Sequence, residues 1–522
     1  MNVAGALPES QAKERLKNQP RLSGSWQVQN RVTLPIYVVA LAVSISTWFI
    51  AIRAPLRLDE TGSFWQISAG FSQIWPRQFA AISLSFPAYN YILWLSTKLI
   101  GTSEIALRIP SVIAMLGAVY LLYLAAREIF EREIAIIAAI IFCLHPIVAF
   151  EAIDIRPYAF GVLATNAAIL ILLRLRRNSS NWLAALFGLT AAWIIWFHYL
   201  LGVILPALVL CFIVFKFHDR KTLLRQFSVA FAAFALAIPP VIPGLIDLFH
   251  TSRTHVCELP PDLADLARTL LTAYLFFTLC GTAFVAFLVF AAGGRRNTVD
   301  RFEGWHLLVC ISLAFIPLSI LYGVSVGTPI HMFTPRHRLE AVPGIALCWA
   351  FVVSRFHSRT IRLLFCVTLV ATTAFQCFTS PPDRYRENAL KYALDLVERN
   401  ASVDDAPVVI CSGFIESDYS AMPSRETAKS SQFFAPLSYY KLNVPVVPLP
   451  QGLNDEAIRD ASRFLQEATQ KHERFLVVAY RLNSYGALDW FADNAAATHS
   501  VHKLGVFEQI EVLEFVPREP RT

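Results

Sequence analysis

The sequence predicts an all-α polytopic membrane bundle followed by a small C-terminal α/β soluble domain. Of its 522 residues, 55% are hydrophobic and only 16% are charged, whereas a soluble protein carries roughly a quarter charged residues. The apolar residues form runs of about 17–25 residues, the length that crosses a ~30 Å hydrocarbon core as a helix. The last run ends at Phe378. We therefore expect a cytoplasmic tail over 1–31, a transmembrane domain over 32–380 and an extracytoplasmic α/β domain over 381–522.

Eleven apolar runs predict eleven transmembrane helices. In order, they are Val32–Ile52, Ile109–Ala126, Ile134–Phe150, Tyr158–Leu173, Trp182–Phe197, Tyr199–Phe217, Leu224–Leu245, Leu266–Ala292, Trp305–Leu321, Leu339–Val353 and Ile361–Phe378. Two further segments are predicted to be interfacial helices. Phe64–Phe79 carries an apolar stripe at helical spacing, which is typical of a helix lying in the membrane surface. Ala88–Ile100 is too short to span.

Basic residues predict the orientation in the membrane. The N-terminal tail carries Lys13, Arg15, Lys17 and Arg21, and five more basic clusters lie in alternate loops if 88–100 does not span. Lys and Arg concentrate in short cytoplasmic loops, so the N-terminus is predicted to be cytoplasmic and the C-terminal domain extracytoplasmic. The net charge of +7 follows from this bias, and we therefore expect a lipid bilayer and no nucleic acid as a partner.

The composition of the C-terminal part is typical of a soluble domain in which strands alternate with helices. The predicted strands are Val408–Cys411, Val444–Val447, Phe475–Ala479 and Val512–Phe515, and the predicted helices are Glu456–Gln470 and Leu488–Ala495. It has no glycine-rich nucleotide-binding motif. A docking or acceptor-shaping role is the plain expectation.

Adjacent carboxylates follow the first predicted span. Asp59 and Glu60 lie in the segment Arg57-Leu58-Asp59-Glu60, at the outer membrane surface in the predicted topology. Two carboxylates there suit a general base and a ligand for a sugar hydroxyl. The alternative is capping, because an acidic residue in the first turn stabilises the positive end of a helix dipole.

A second charged segment lies between the third and fourth predicted spans, on the same side. It contains Asp154, Arg156 and Tyr158. The alternative is a solvated loop in which Pro157 begins the next helix.

A third cluster precedes the tenth predicted span. Arg336, His337 and Arg338 lie on the outer side, against the positive-inside bias. Guanidinium groups pair with phosphate through two hydrogen bonds, so the cluster indicates an anionic ligand; anchoring to lipid head groups is the alternative. His198 ends the fifth span on this side. A lone histidine has many structural roles, so no cofactor is certain and a divalent metal stays an open alternative.

The order and spacing of several motifs carry a resemblance to a known family. These motifs are Leu58-Asp59-Glu60, Phe86-Pro87-Ala88-Tyr89, Arg108-Ile109-Pro110-Ser111, Asp154-Ile155-Arg156-Pro157-Tyr158 and Pro335-Arg336-His337. Through them, residues 30 to 380 resemble the bacterial GT-C superfamily glycosyltransferases that use polyprenyl-phosphate sugars. That group includes the protein O-mannosyltransferases and the lipid A aminoarabinose transferases.

The resemblance implies an enzyme of the bacterial inner membrane. It would move a monosaccharide from a polyprenyl-phosphate donor to a glycolipid, polysaccharide or protein acceptor, and we expect inversion by direct displacement. Asp59 would be the catalytic base or acceptor-binding acid, with Glu60 beside it. Asp154 and Arg156 would belong to the family's second outer loop, and Arg336 would face the lipid-linked phosphate.

Two positions depart from the family pattern. Ser85-Phe86-Pro87 stands where members often carry His or an acidic residue before the proline, and His337 stands where Tyr is common. A metal ligand at the first position is thereby placed in doubt. Two other functions remain as alternatives: a transporter or flippase for a lipid or polar solute, and a scaffold that acts through the tail. Transporters often place their sites at mid-bilayer within inverted repeats, and the predicted spans contain few charges.

Overall fold

The computed structural model describes residues 24–80, 87–216, 219–251, 260–291, 304–356, 358–379, 389–401, 405–419, 422–481 and 486–519. The predicted tail up to residue 23 and the predicted domain boundary at 381 lie outside these ranges. So do Ser85 and Phe86.

The membrane part is a helical bundle. Its helices are α1 Gly24–Ser46, α2 Leu58–Ser68, α3 Ile74–Ala80, α4 Ala88–Ile100, α5 Glu104–Arg127, α6 Arg132–Leu144, α7 Pro146–Glu151, α8 Tyr158–Arg177, α9 Asn181–Phe197, α10 Leu205–Lys216, α11 Arg220–Ala237, α12 Ile242–Thr251, α13 Leu263–Leu270, α14 Ala273–Ala291, α15 Gly304–Gly327, α16 Val342–Ser354 and α17 Arg359–Thr379. In the described ranges, five helices are long and apolar enough to cross a membrane, or seven if each of two bent pairs forms one span. Several helices are therefore able to cross a membrane by length and composition, but the predicted number of eleven is not confirmed.

The surface segment after α1 differs from the prediction. A single helix over Phe64–Phe79 is wrong, because α2 ends at Ser68 and α3 begins only at Ile74. Gly70 lies between them with a φ of +101°, a conformation that glycine adopts without a steric cost and that ends the helix. The helix α4 has 13 residues, too few to cross a bilayer.

A small apolar cluster ties these short helices to the loop that precedes α8. Its buried members are Leu56, Ile67, Ile74, Tyr89, Leu93, Leu107 and Ile155. Burial of such side chains stabilises the folded arrangement by roughly 1.5–3 kcal/mol each. The cluster thereby fixes the start of α2 beside residues 154–158.

Glycine allows close contact where α15 and α16 cross. A Cβ atom on Gly344 would lie 2.3 Å from the backbone carbonyl carbon of Leu313, so only glycine fits without a shift. Small residues permit such backbone approach between membrane helices. The contact holds the segment just before α16, a 3₁₀ helix over Arg336–Ala341, against the bundle.

The C-terminal part contains a five-stranded sheet, as an α/β domain requires. Its helices are α18 Ala389–Ala401, α19 Ala435–Tyr439, α20 Asp455–Lys471 and α21 Ala487–Ala495, and its strands are β1 Val408–Cys411, β2 Val446–Leu449, β3 Phe475–Tyr480, β4 His499–Phe507 and β5 Ile510–Pro517. The strand order is β2-β1-β3-β5-β4. The pairs β1–β2 and β1–β3 are parallel, and the other two pairs are antiparallel. The sequence does not predict β4, because most of its side chains are not buried and it lacks an apolar pattern.

Each face of the sheet has its own core. One core joins α18 to inward residues of β1 and β3 such as Val408 and Leu476. The other joins α20 and α21 to their neighbours Val409 and Val477. This alternation is the period of two that a strand imposes on its side chains.

Candidate functional site

The site lies where the start of α2 meets the 3₁₀ helix before α16. Arg336 Nη1 donates a hydrogen bond of 2.8 Å to Asp59 Oδ2. Arg156 Nη1 lies 3.8 Å from the same carboxylate oxygen. The structure therefore brings together three of the residues that the sequence singled out, one from each predicted motif. The side chains of Asp59 and Arg336 are 33% and 38% exposed, so a ligand can reach them.

Asp59 lies in the first turn of α2, where the helix dipole favours a negative charge. Burial would raise the pKa of its carboxyl group, but the charges of Arg156 and Arg336 outweigh this effect and hold that pKa well below its usual value. Arg57 contributes in the same direction. Asp59 is thus an ionised carboxylate held by guanidinium groups.

Glu60 occupies a different environment, although it is the next residue. Its side chain and that of Arg108 are both 0% exposed, and they form an ion pair of 2.8 Å. Glu60 also accepts hydrogen bonds from the backbone N–H groups of Arg57, at 2.9 Å, and Ile155, at 3.2 Å. These contacts connect the start of α2 to α5 and to the loop before α8.

Arg108 completes this buried connection. It donates hydrogen bonds to the carbonyl oxygens of Ile52 at 2.9 Å, Ala54 at 2.5 Å and Pro55 at 3.2 Å. Those carbonyl groups belong to the turn between the first span and α2. No role for Arg108 is predicted from the sequence, although an arginine within an apolar helix is itself a signal of a specific buried partner.

Asp154 is almost completely buried and pairs with an arginine. Its Oδ2 lies 2.6 Å from Arg57 Nη2, and its side chain is 2% exposed. The Arg57 guanidinium stacks over the ring of Phe150 at 4.3 Å. Asp154 therefore orients Arg57 beside the open carboxylate of Asp59. Arg57 belongs to the first charged motif, but no role for it is predicted from the sequence.

His198 and Tyr158 form a buried contact next to the arginines. The backbone N–H of Leu200 donates to His198 Nδ1 at 3.3 Å, so the proton of the neutral ring lies on Nε2. Nε2 is 3.3 Å from the Tyr158 hydroxyl oxygen. The guanidinium of Arg156 lies 5.7 Å from the centre of the Tyr158 ring. Tyr158 thereby lies in contact with both Arg156 and His198.

The ring of His337 lies near that of His198, with 5.5 Å between ring centres and a tilt of 41° between the ring planes. Its Nδ1 donates to the Met332 carbonyl oxygen at 2.9 Å. Burial and the charge of Arg336 lower the pKa of His337 to about 3, and burial together with His337 and the nearby arginines lowers that of His198 well below its usual value. Both rings are therefore neutral at physiological pH.

Arg338 points away from Asp59. Its Nη1 donates to Thr269 Oγ1 at 2.5 Å and to the Asp265 carbonyl oxygen at 3.2 Å, and its guanidinium lies over the ring of Phe333 at 4.8 Å. These contacts fix α13 to the segment before α16. The described residues contain no group of three or more His, Cys, Asp or Glu side chains placed to hold a metal ion.

The C-terminal domain packs directly on α2. Tyr440 accepts a hydrogen bond of 2.6 Å from the backbone N–H of Leu56. Trp65 Nε1 donates to the Ser430 carbonyl oxygen at 2.7 Å, and the rings of Phe64 and Tyr439 meet edge to face at 5.0 Å. The helix that carries Asp59 therefore has the membrane bundle on one side and the soluble domain on the other.

Comparisons with known proteins, by sequence and by fold, agree with the family resemblance that the motifs indicated. Residues 85–246 match the family described as dolichyl-phosphate-mannose-protein mannosyltransferase. A search of curated proteins finds no match. Among solved structures, ArnT from Cupriavidus metallidurans bound to undecaprenyl phosphate is similar, with a TM-score of 0.54 and 11% identity over 91% of this chain and 97% of that one. Its apo state gives a TM-score of 0.50 and 12% identity over the same shares of the two chains.

At this level of identity the solved structures establish the fold, and the family match adds a correspondence in sequence over part of the membrane domain. Together they confirm the resemblance to GT-C superfamily glycosyltransferases that the motifs indicated.

Proposed function

We propose that this protein is an inverting glycosyltransferase that moves a monosaccharide from a polyprenyl-phosphate carrier to an acceptor hydroxyl outside the cytoplasm. The observation that carries the proposal is the partly exposed Asp59 carboxylate, which Arg336 and Arg156 hold at 2.8 Å and 3.8 Å. A base for the acceptor and cations for the departing phosphate are the two groups that this reaction needs.

The reaction is a direct displacement. The acceptor oxygen attacks the anomeric carbon and transfers its proton to Asp59, which contributes roughly 10²–10⁴-fold as a positioned base. The bond from the anomeric carbon to the phosphate oxygen breaks, and its electron pair leaves on the polyprenyl phosphate. Arg336 stabilises the charge on that phosphate by a few kcal/mol.

The ion pair between Asp59 and Arg336 provides a way to couple donor binding to base strength. In the described state the guanidinium groups hold the pKa of Asp59 far below its usual value, which makes it a weak base. A donor phosphate competes with Asp59 for Arg336, because guanidinium groups bind phosphate in a bidentate manner. Asp59 then regains basicity only when the donor is in place.

The other site residues predicted from the sequence have supporting roles around Asp59 and Arg336. Glu60 and Asp154 act as positioning residues, because each is buried against an arginine. Tyr158 contacts the neutral ring of His198, which lies beside the neutral ring of His337, next to the arginines proposed to bind the phosphate. Arg338 holds this segment to α13. A bound divalent metal is not required by these roles.

The proposed location is the bacterial inner membrane, with the N-terminus in the cytoplasm. The positive-inside pattern supports this orientation, and it places the Asp59 site and the C-terminal domain on the outer side. The similar ArnT structure contains undecaprenyl phosphate, which supports a polyprenyl-phosphate carrier as the donor partner. The acceptor is a glycolipid, polysaccharide or protein.

The test compares a deletion strain complemented with the wild-type chain, Asp59→Asn or Asp460→Asn. Asp460 lies on α20 and pairs with Arg463 at 3.5 Å on an exposed surface, so it controls for the loss of a carboxylate elsewhere. Mass analysis of glycolipids and envelope glycans should show one sugar missing in the deletion strain. Wild type and Asp460→Asn restore that sugar, whereas Asp59→Asn does not.

Two further measurements complete the test. The amount of each variant in the membrane, and the binding of undecaprenyl phosphate to the purified full chain, show whether Asp59→Asn still folds. Restoration of the sugar by Asp59→Asn would contradict the assigned base. Transport of a labelled lipid-linked sugar across liposomes without covalent transfer would favour a flippase instead.

A further inference from the structure

The carboxyl ends of two parallel strands of the C-terminal sheet face the membrane domain. From β1 the chain passes to β2 on one side, and it later returns through β3 on the other side of β1. In open α/β sheets the carboxyl ends of strands on either side of such a reversal form the usual ligand-binding crevice. Here these ends are Gly413, just after β1, and Tyr480, the last residue of β3.

These strand ends pack on the first turn of α2. A Cβ atom on Gly413 would lie 2.6 Å from Tyr480 Cε2 and 2.8 Å from Leu58 Cδ2. A Cβ on Gly62 would lie 3.5 Å from Phe414 Cζ. Leu58 is the neighbour of Asp59 in the chain. Tyr480 therefore lies close enough to the proposed base for the Asp59 charge to act on its phenol.

The backbone around these strand ends is held in place. The Ser412 hydroxyl donates to the Phe433 carbonyl oxygen at 2.9 Å and accepts from the backbone N–H of Phe414 at 3.1 Å. Gln451 Nε2 donates to the Gly413 carbonyl oxygen at 3.3 Å. The turn after β1 thus presents a fixed surface to α2.

Tyr480 offers an apolar ring and a polar tip. Its hydroxyl makes no hydrogen bond to another residue in the described part of the chain, although the side chain is half-buried. Burial and the Asp59 charge both raise the pKa of Tyr480, so the phenol stays protonated and is a hydrogen-bond donor. A tyrosine that is apolar on one side and unpartnered at its tip is typical of a binding surface.

We infer that the soluble domain forms one wall of the acceptor site, and that Tyr480 binds an acceptor sugar ring beside Asp59. The inference rests on the proposed function and narrows it to glycolipid or polysaccharide acceptors. A sugar ring has an apolar C–H face, which suits the Tyr480 ring and Leu58, and hydroxyl groups on its rim, which suit the phenol and the carboxylate.

The experiment uses the full-length protein with envelope extract from the deletion strain as the acceptor probe. Tyr480→Phe keeps the ring and removes the hydroxyl. The apparent KM for the extract should rise roughly tenfold, the effect of about one lost hydrogen bond, while kcat changes little. The affinity for undecaprenyl phosphate alone should not change. Tyr392→Phe is the matched control, because Tyr392 lies in the same domain and is 51% exposed.

A second variant tests the same site in case removal of the Tyr480 hydroxyl has too small an effect to measure. Gly413→Ala forces the Tyr480 ring or Leu58 to move and should raise the KM for the extract at least as much. Equal KM values for Tyr480→Phe and Tyr392→Phe, or transferred label found in the protein fraction, would overturn the inference. If Asp59→Asn is inactive while Tyr480→Phe behaves as wild type, only this inference fails. Activity in Asp59→Asn would instead remove the proposed function itself.

Discussion

Replacing Glu60 by glutamine distinguishes a positioning residue from a reacting one. The Glu60 and Arg108 side chains are both fully buried and are joined at 2.8 Å, so water does not screen their interaction. Removing one partner of such a pair leaves an uncompensated charge and costs about 3–5 kcal/mol. The amide of Glu60→Gln has a single acceptor oxygen, whereas Glu60 accepts from two backbone N–H groups as well as from Arg108. We expect the apparent melting temperature to fall by roughly 3–10 °C.

The assay measures the melting temperature of the detergent-solubilised full chain together with turnover per folded molecule. Glu467→Gln is the control, because Glu467 forms an exposed pair with Arg425 at 3.4 Å, and such pairs contribute at most about 1 kcal/mol. The double variant Glu60→Gln/Arg108→Gln removes both charges. It should be less destabilised than the sum of the single changes, by about 0.5–3 kcal/mol. Turnover of folded Glu60→Gln should stay within about tenfold of wild type, since no reacting group is removed.

The opposite pattern would refute this reasoning. A Glu60→Gln variant with the wild-type melting temperature and turnover lower by about 10²-fold or more would make Glu60 a reacting group. The buried ion pair would then contribute little, and the adjacent carboxylates would share the chemistry.

Three further predictions follow from the site and the bundle. Arg336→Gln should lower kcat by roughly 10²–10³-fold, and Arg336→Lys by less, because it keeps the charge. Unchanged steady-state kinetics in both variants would show that Arg336 does not stabilise the departing phosphate. The pKa of His337 in the folded protein is about 3, lowered from 6.5. Between these two pH values His337 is therefore protonated in the unfolded protein and neutral in the folded one. The melting temperature should therefore fall as pH drops from about 6.5 towards 3, less steeply in His337→Gln; an identical slope in both proteins would contradict this. Gly344→Ala should lower the melting temperature by several degrees, whereas Gly323→Ala, whose Cβ meets nothing within 4 Å, should not; equal values would argue against the close crossing of α15 and α16.

Several local features of this chain were accessible from the sequence because they depend on local pattern. β1 has the predicted bounds, Val408–Cys411, and α20 and α21 lie within one residue of prediction. These elements bury a regular apolar face, and a periodic pattern reports such a face directly. The apolar spacing continues across Gly70, so the pattern does not predict the break there. It does not predict β4 either, because the side chains of that strand are mostly not buried.

The candidate site divides in the same way. Residue type and side of the membrane singled out Asp59, Arg156 and Arg336, because charges at the ends of apolar runs are rare and therefore informative. The sequence did not separate Asp59 from Glu60. Only the fold does so, since it turns one carboxylate towards the opening and the other against Arg108.

The sequence alone determined the membrane character, the α/β nature of the last part and the charged residues worth examining. Each of these depends on composition or on spacing along one segment. The tertiary structure decided which charges pair, which carboxylate stays open and which strand end of the soluble domain meets the first turn of α2. Those outcomes depend on contacts between residues far apart in the chain, such as Asp59 and Arg336, which are separated by 277 positions. No periodicity in a single segment encodes a distance of that kind.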